Sequence, residues 1–171
     1  MKWTAFCILA AATLVLQTTV GPVVAIQSVR PNWMFVLAVF YALWGPWPDA
    51  AIAAWLLGLA VDLQSAASGG GRIGLYALCF GAAAWVMMRI RSAFFRDHAV
   101  TQFVMTAVFA LAVELLVEAA RWWTLGGASP ERQAGWLAFF TALYTAAWAP
   151  YMHWLLLRFH RWTGLKPAHR L

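Results

Sequence analysis

Long apolar segments, separated by short polar or glycine- and proline-containing turns, make up most of this chain. A helix needs about 20 mostly apolar residues to cross the roughly 30 Å hydrocarbon core of a bilayer. Segments that approach or reach this length cover about 3–24, 32–45, 49–64, 73–91, 98–123 and 134–158. The pattern predicts an all-α integral membrane protein with about six transmembrane helices, and one polytopic membrane domain over residues 1–171.

The second and third segments are shorter than the others, and a rigid turn, Gly45-Pro46-Trp47-Pro48, separates them. About fifteen residues at 1.5 Å each give roughly 22 Å, which is less than the thickness of the core. We expect a tight hairpin that is buried against other helices. The first segment is longer than the apolar region of a signal peptide, so we expect it to be a retained helix.

Composition supports a membrane protein, since 64% of the residues are hydrophobic and 11% are charged, against roughly a quarter charged in soluble domains. With six helices, eight of the twelve Lys and Arg residues fall on one side and four on the other. The two sets are Lys2, Arg89, Arg91, Arg96, Arg158, Arg161, Lys166 and Arg170, and Arg30, Arg72, Arg121 and Arg132. The positive-inside rule then predicts cytoplasmic termini. Topology explains the net charge of +6, so we expect no nucleic-acid partner.

Asp62 is a carboxylate near the end of the apolar third segment, and a charge at the bilayer centre costs about 2.5–3.5 kcal/mol. It continues a strip with a four-residue spacing: Ala50, Ala54, Gly58 and Asp62. The fourth segment carries a comparable strip: Gly74, Ala77, Gly81 and Ala84. Small residues let helices approach closely, so we expect these strips to pack together or against a shared neighbour. Asp62 either caps the following helix, pairs with Arg72 or belongs to a partner-binding face.

Three further charged residues, Glu114, Glu118 and Arg121, share one face of the fifth segment. Paired carboxylates inside a membrane can relay protons or bind a cation. In the simpler interpretation, Glu118 pairs with Arg121 and Glu114 forms a bond within the bundle. Residues 69–74 match G-x-G-x-x-G, but a membrane helix follows and no strand precedes, so we expect no nucleotide site. We predict no catalytic residue, cofactor or metal.

Several short motifs in residues 16–81 follow one another in a specific order. They are Leu16-Gln17, Arg30-Pro31 followed by Val39, Tyr41, Ala42 and Leu43, then Gly58-Leu59-x-x-Asp62-Leu63, and Gly74 at the start of the next helix. This order resembles the rod shape-determining protein MreD family. The stiff turn at residues 44–48 and the high tryptophan content depart from the family pattern.

The resemblance implies a non-enzymatic inner-membrane component of the bacterial elongation machinery, which directs rod shape and lateral peptidoglycan synthesis. It implies docking of an MreC-like bitopic partner, and through it contact with a peptidoglycan transpeptidase and glycosyltransferase and with actin-like MreB. Members also resemble, in fold, the substrate-binding components of energy-coupling factor vitamin transporters. That similarity leaves a small-molecule transporter component as the alternative function. We expect the partner or packing face to include Ala50, Ala54, Gly58, Asp62, Gly74 and Gly81.

Overall fold

The computed structural model describes residues 2–27, 29–67, 73–93, 98–124 and 134–158. In these ranges every named element is helical: α1 (Trp3–Thr19), α2 (Trp33–Trp44), α3 (Trp47–Ala67), α4 (Leu75–Ile90), α5 (Ala99–Thr124), α6 (Ala134–Arg158) and a 3-10 turn (Arg91–Ala93). The predicted all-helical class is therefore confirmed for the part of the chain that the structure describes.

Helix α2 lies at the centre of the bundle. All twelve of its residues are buried, and its sequence is apolar on every side, which is typical of a helix with no solvent-facing surface. Helices α1, α3, α4, α5 and α6 all contact it. Phe35, Phe40 and Tyr41 of α2 are among the largest fully buried side chains, so side chains of this helix fill the middle of the bundle.

Consecutive helices run in alternating directions around α2. Side-chain contacts place the start of α1 beside the end of α2, the end of α3 beside the start of α4, and the middle of α6 beside the start of α2. The pairs are Phe6 with Tyr41, Asp62 with Tyr76, Phe80 with Phe109, Tyr76 with Glu114, Asn32 with Thr145 and Val36 with His153. As a result Lys2 and Arg158 lie at the same end of the bundle.

The length expected for the third segment was wrong. Helix α3 has 21 residues and begins at Trp47, because Pro48 occupies its first turn, where a proline is tolerated. At 1.5 Å per residue α3 is about 31 Å long, enough to cross a membrane. Helix α2 is short as expected, with 12 residues and a length of about 18 Å.

The outer surface of the bundle is rich in large apolar side chains. Ile8, Leu78 and Val100 are each about two-thirds exposed or more, which is unusual for a soluble monomer. Two of the described helices, over Trp47–Ala67 and Ala99–Trp123, have the length and composition to cross a membrane. Three more apolar helices are shorter, so the number of crossings stays a prediction.

Candidate functional site

The Asp62 carboxylate joins the end of α3 to the start of α4. Its Oδ2 accepts hydrogen bonds from the backbone N–H groups of Gly74 at 3.0 Å and Ala77 at 2.9 Å. Its Oδ1 accepts one from the N–H of Tyr76 at 2.9 Å. Asp62 therefore has the helix-capping role, the first of the alternatives considered for it, and Arg72 lies outside the described residues. We call this junction the Asp62 elbow.

Capping also explains how a carboxylate with no exposed surface is tolerated there. A buried charge is costly unless it is hydrogen-bonded, and the start of a helix offers free N–H groups and the positive end of the helix dipole. A carboxylate has about four acceptor positions, and the elbow uses three. This arrangement suits a structural anchor rather than a proton carrier.

Gly58 lies one turn before Asp62 and touches the backbone of α4. A Cβ atom added to Gly58 would lie 2.6 Å from the carbonyl oxygen of Tyr76 and 2.7 Å from the Cα of Ala77. Only glycine fits this approach without displacing backbone. Gly74, the N-cap of α4, has φ +102°, a conformation that glycine adopts at little cost. Both glycines therefore allow α4 to start where Asp62 can cap it.

The remaining small residues of the two strips differ in how closely they are packed. Ala50, Ala54, Ala77 and Ala84 are buried inside the bundle. Gly81 is half-buried, and a Cβ added to it would lie 3.7 Å from Cδ1 of Trp55, an ordinary contact. Close helix approach is thus concentrated at Gly58. Whether any residue of these strips also serves a partner stays a prediction.

The charged residues Glu114, Glu118 and Arg121 lie beyond the elbow, on α5. Glu118 forms an ion pair with Arg121 at 3.0 Å, as the simpler interpretation expected. Oε2 of Glu114 accepts a long hydrogen bond, 3.5 Å, from the hydroxyl of Tyr76. Since Tyr76 also donates its backbone N–H to Asp62, this residue connects α3, α4 and α5 in one polar layer.

The N-cap residue of α2 and side chains from two other helices complete the first turn of α2. The Oδ1 of Asn32 accepts the N–H of Met34 at 3.1 Å, and the Oε1 of Gln17 on α1 accepts the N–H of Trp33 at 2.9 Å. The hydroxyl of Thr145 on α6 accepts the N–H of Asn32 at 3.0 Å. Gln17 entered the sequence analysis only through the family resemblance, and its capping role was missed.

Arg91 has the corresponding role at the other end of α2. Its Nη1 donates to the carbonyl oxygens of Ala42 at 2.9 Å and Gly45 at 2.7 Å. The last carbonyls of a helix have no partner within the helix, and lipid cannot supply one. Arg91 was predicted as a charge that sets topology, and its contact with the end of α2 was missed. The Gly45-Pro46 pair after an apolar segment indicates a helix end whose carbonyls need a hydrogen-bond donor. Nothing in the sequence identified Arg91 as that donor.

A family model described as rod shape-determining protein MreD matches residues 1–127. This range includes α1 to α5 and the Asp62 elbow. It also includes Gln17, Asn32 and Arg91, which complete the two ends of α2. The chain belongs to the MreD family. No curated protein and no solved structure matches the chain significantly.

Membership in the MreD family gives this chain a role in determining rod shape, as part of the MreBCD machinery. The family is membrane-associated, which agrees with the apolar helices and the apolar outer surface. MreD proteins are shape-determining structural components and not a known enzyme family. Among the described residues, no group of three or more His, Cys, Asp or Glu side chains is placed to hold a metal ion.

Proposed function

We propose that this MreD protein is a non-enzymatic scaffold of the elongation machinery that docks the membrane segment of an MreC-like bitopic partner. Through that partner it reaches the peptidoglycan transpeptidase and glycosyltransferase and actin-like MreB. The observation that carries the proposal is the match to the MreD family over residues 1–127.

The bundle interior supports a scaffold. Ala50, Ala54, Gly58 and Asp62 are all buried within the chain, so their effect on a partner is indirect: they fix the positions of α3 and α4. The docking surface then lies on the outside of the bundle, where exposed apolar side chains face lipid or a partner helix. Because packing replaces the hydrophobic drive inside a membrane, a fixed outer shape is what a partner helix requires.

Charge supports an inner-membrane orientation with both termini in the cytoplasm. Of the described Lys and Arg residues, Lys2, Arg89, Arg91 and Arg158 lie at one end, which we call the basic end. Arg30 and Arg121 lie at the other end. Cytoplasmic flanks of membrane helices carry the excess of Lys and Arg, and this excess supports a cytoplasmic position for the basic end.

A vitamin-type transporter component is the alternative that an experiment must separate from this proposal. Such a protein needs a cavity lined by polar groups that converge on a ligand. The centre of this bundle is occupied by the twelve buried residues of α2, and Asp62 is already engaged by three N–H groups. Both features favour the scaffold.

Copurification tests the proposal. The chain is co-expressed with an MreC-like partner, captured in mild detergent and analysed for bound protein and bound small molecules. We expect a stoichiometric complex with the partner. Recovery of a bound vitamin-sized ligand without any partner would overturn the proposal.

The variant Asp62→Ala asks whether the elbow matters for assembly. It removes the acceptor of three N–H groups, so we expect a lower yield of folded protein or of the complex. Asp49→Ala is the control, since it removes the same charge from the first turn of the same helix. Unchanged expression, complex yield and cell shape for Asp62→Ala would show that the elbow is dispensable.

A further inference from the structure

Helix α4 exposes a continuous face that changes from apolar to basic toward its end. The exposed residues on this face are Leu78, Ala82, Trp85 and Arg89, at offsets of four, three and four residues. Leu78 is 68% exposed and Trp85 is 46% exposed. The Cζ of Arg89 lies 5.0 Å from the centroid of the Trp85 ring.

Helix α6 carries the same arrangement at its own end. Ala147, Tyr151, Trp154 and Arg158 are all exposed and have the same offsets. The Cζ of Arg158 lies 5.6 Å from the centroid of the Trp154 ring. Since α4 and α6 run in the same direction and both pack against α5, both arginines lie at the basic end.

These two arginines differ from others in the described part of the chain. Arg91 donates to backbone carbonyls of the α2 turn, and Arg121 pairs with Glu118. The contacts of Arg89 and Arg158 within the described ranges are those with their own tryptophans. Cation–π contact with an indole positions a guanidinium without neutralising its charge, so each arginine keeps its capacity for an anion.

We propose that each of these two faces binds one anionic phospholipid. The guanidinium donates to the headgroup phosphate, for which its planar fork is well matched. The indole lies at the interface between headgroups and acyl chains, its preferred depth in a membrane. An acyl chain extends along the exposed apolar residues of the same face. We call the faces of α4 and α6 the two lipid faces.

An acidic segment of a protein partner could also bind two arginines. A lipid fits better because each arginine continues an exposed apolar face of about eleven residues, or roughly 16 Å, which an acyl chain can cover and an acidic peptide cannot. The charge of the basic end also favours an anion, since Asp49 is the one acidic residue at that end within the described ranges.

The test compares lipid selectivity of purified proteins and needs no partner protein, so it is independent of the proposed function. Wild-type chain in mild detergent is incubated with equal amounts of phosphatidylglycerol and phosphatidylcholine, and the lipids that copurify are quantified. We expect enrichment of phosphatidylglycerol that falls at high salt. In the variant Arg89→Gln/Arg158→Gln, the enrichment should fall roughly fivefold for each arginine replaced.

Arg30→Gln is the matched control, because Arg30 is exposed at the opposite end, and it should keep the enrichment. Trp85→Leu/Trp154→Leu is a second variant, in which the arginines lose their aromatic support, and it should give an intermediate loss. An unchanged lipid ratio in Arg89→Gln/Arg158→Gln, or an equal loss in Arg30→Gln, would overturn the proposal. If the variant, purified from cells, kept its lipid ratio but lost an acidic protein that copurifies with the wild type, the arginines would be a protein-binding site and the lipid proposal would be wrong.

Discussion

Two glycines, Gly58 and Gly81, provide a comparison in which the same substitution is expected to act in opposite directions. Both lie on the facing strips of α3 and α4, and sequence alone treats them alike. The structure separates them by what a Cβ atom would meet. At Gly58 it meets backbone of Tyr76 and Ala77 at 2.6–2.9 Å, and at Gly81 it meets the Trp55 side chain at 3.7 Å.

For Gly58→Ala, relief of the clash requires α3 and α4 to separate by about 0.5–1 Å, since carbon atoms prefer about 3.5–4.0 Å. That shift acts on the bonds one turn away, where Asp62 accepts three N–H groups at 2.9–3.0 Å. Overpacking of this kind costs about 1–3 kcal/mol. The gain of about 1 kcal/mol from replacing glycine with alanine in a helix offsets part of this cost. Weakened hydrogen bonds to Asp62 increase the cost again. We expect net destabilisation by about 1–3 kcal/mol.

For Gly81→Ala, the added methyl group makes an ordinary contact and the helix gains the same propensity term. We expect a change between zero and about 1 kcal/mol of stabilisation. Equilibrium unfolding in mixed detergent micelles, followed by tryptophan fluorescence, measures both free energies. Equal effects of the two substitutions, or full stability of Gly58→Ala, would refute the close approach at the elbow.

The ends of α2 lead to two more predictions. Arg91→Met leaves the carbonyls of Ala42 and Gly45 without this donor and should destabilise the fold by about 2–4 kcal/mol. The control, Arg89→Met, removes an exposed cation–π contact and should cost at most about 1 kcal/mol. Similar melting temperatures for the two variants would contradict the capping role of Arg91. Gln17→Leu removes the acceptor of the Trp33 N–H and should lower the free energy of unfolding by about 1–3 kcal/mol, while Gln17→Glu keeps an acceptor and should restore part of the loss. Hydrogen exchange of the Trp33 amide should be faster in Gln17→Leu than in the wild type. Unchanged or slower exchange would contradict the capping role of Gln17.

The part of the fold that local pattern determines was predictable from the sequence. The helices α4, α5 and α6 end within two residues of the apolar segments that predict them. Helix α3 was misjudged because Pro48 was treated as a break, although a proline in a first turn needs no N–H partner. Helix α1 ends at Thr19, earlier than its apolar segment, because Gly21 and Pro22 follow.

The long-range contacts of the site were predictable only in part. Four-residue spacing placed Gly58 and Asp62 on one face, and a capping role for Asp62 followed from its position before a new helix. Arg91 and Ala42 are 49 residues apart, and no spacing rule links them. Their contact depends on α2 and α4 running in the same direction, which is a property of the assembled bundle.

Most of the interior polar groups discussed above serve a helix end. In lipid a backbone N–H or C=O without a partner costs several kcal/mol, and a 12-residue helix with both ends inside the bundle has many such groups within a short length. Gln17, Asn32 and Thr145 complete its start and Arg91 completes its end, while Asp62 does the same for the start of α4. Because these side chains are committed to backbone groups, they are poorly suited to bind a substrate. In the proposed function, selectivity for a partner therefore comes from the outer surface, where the two proposed lipid faces combine exposed apolar side chains with an arginine.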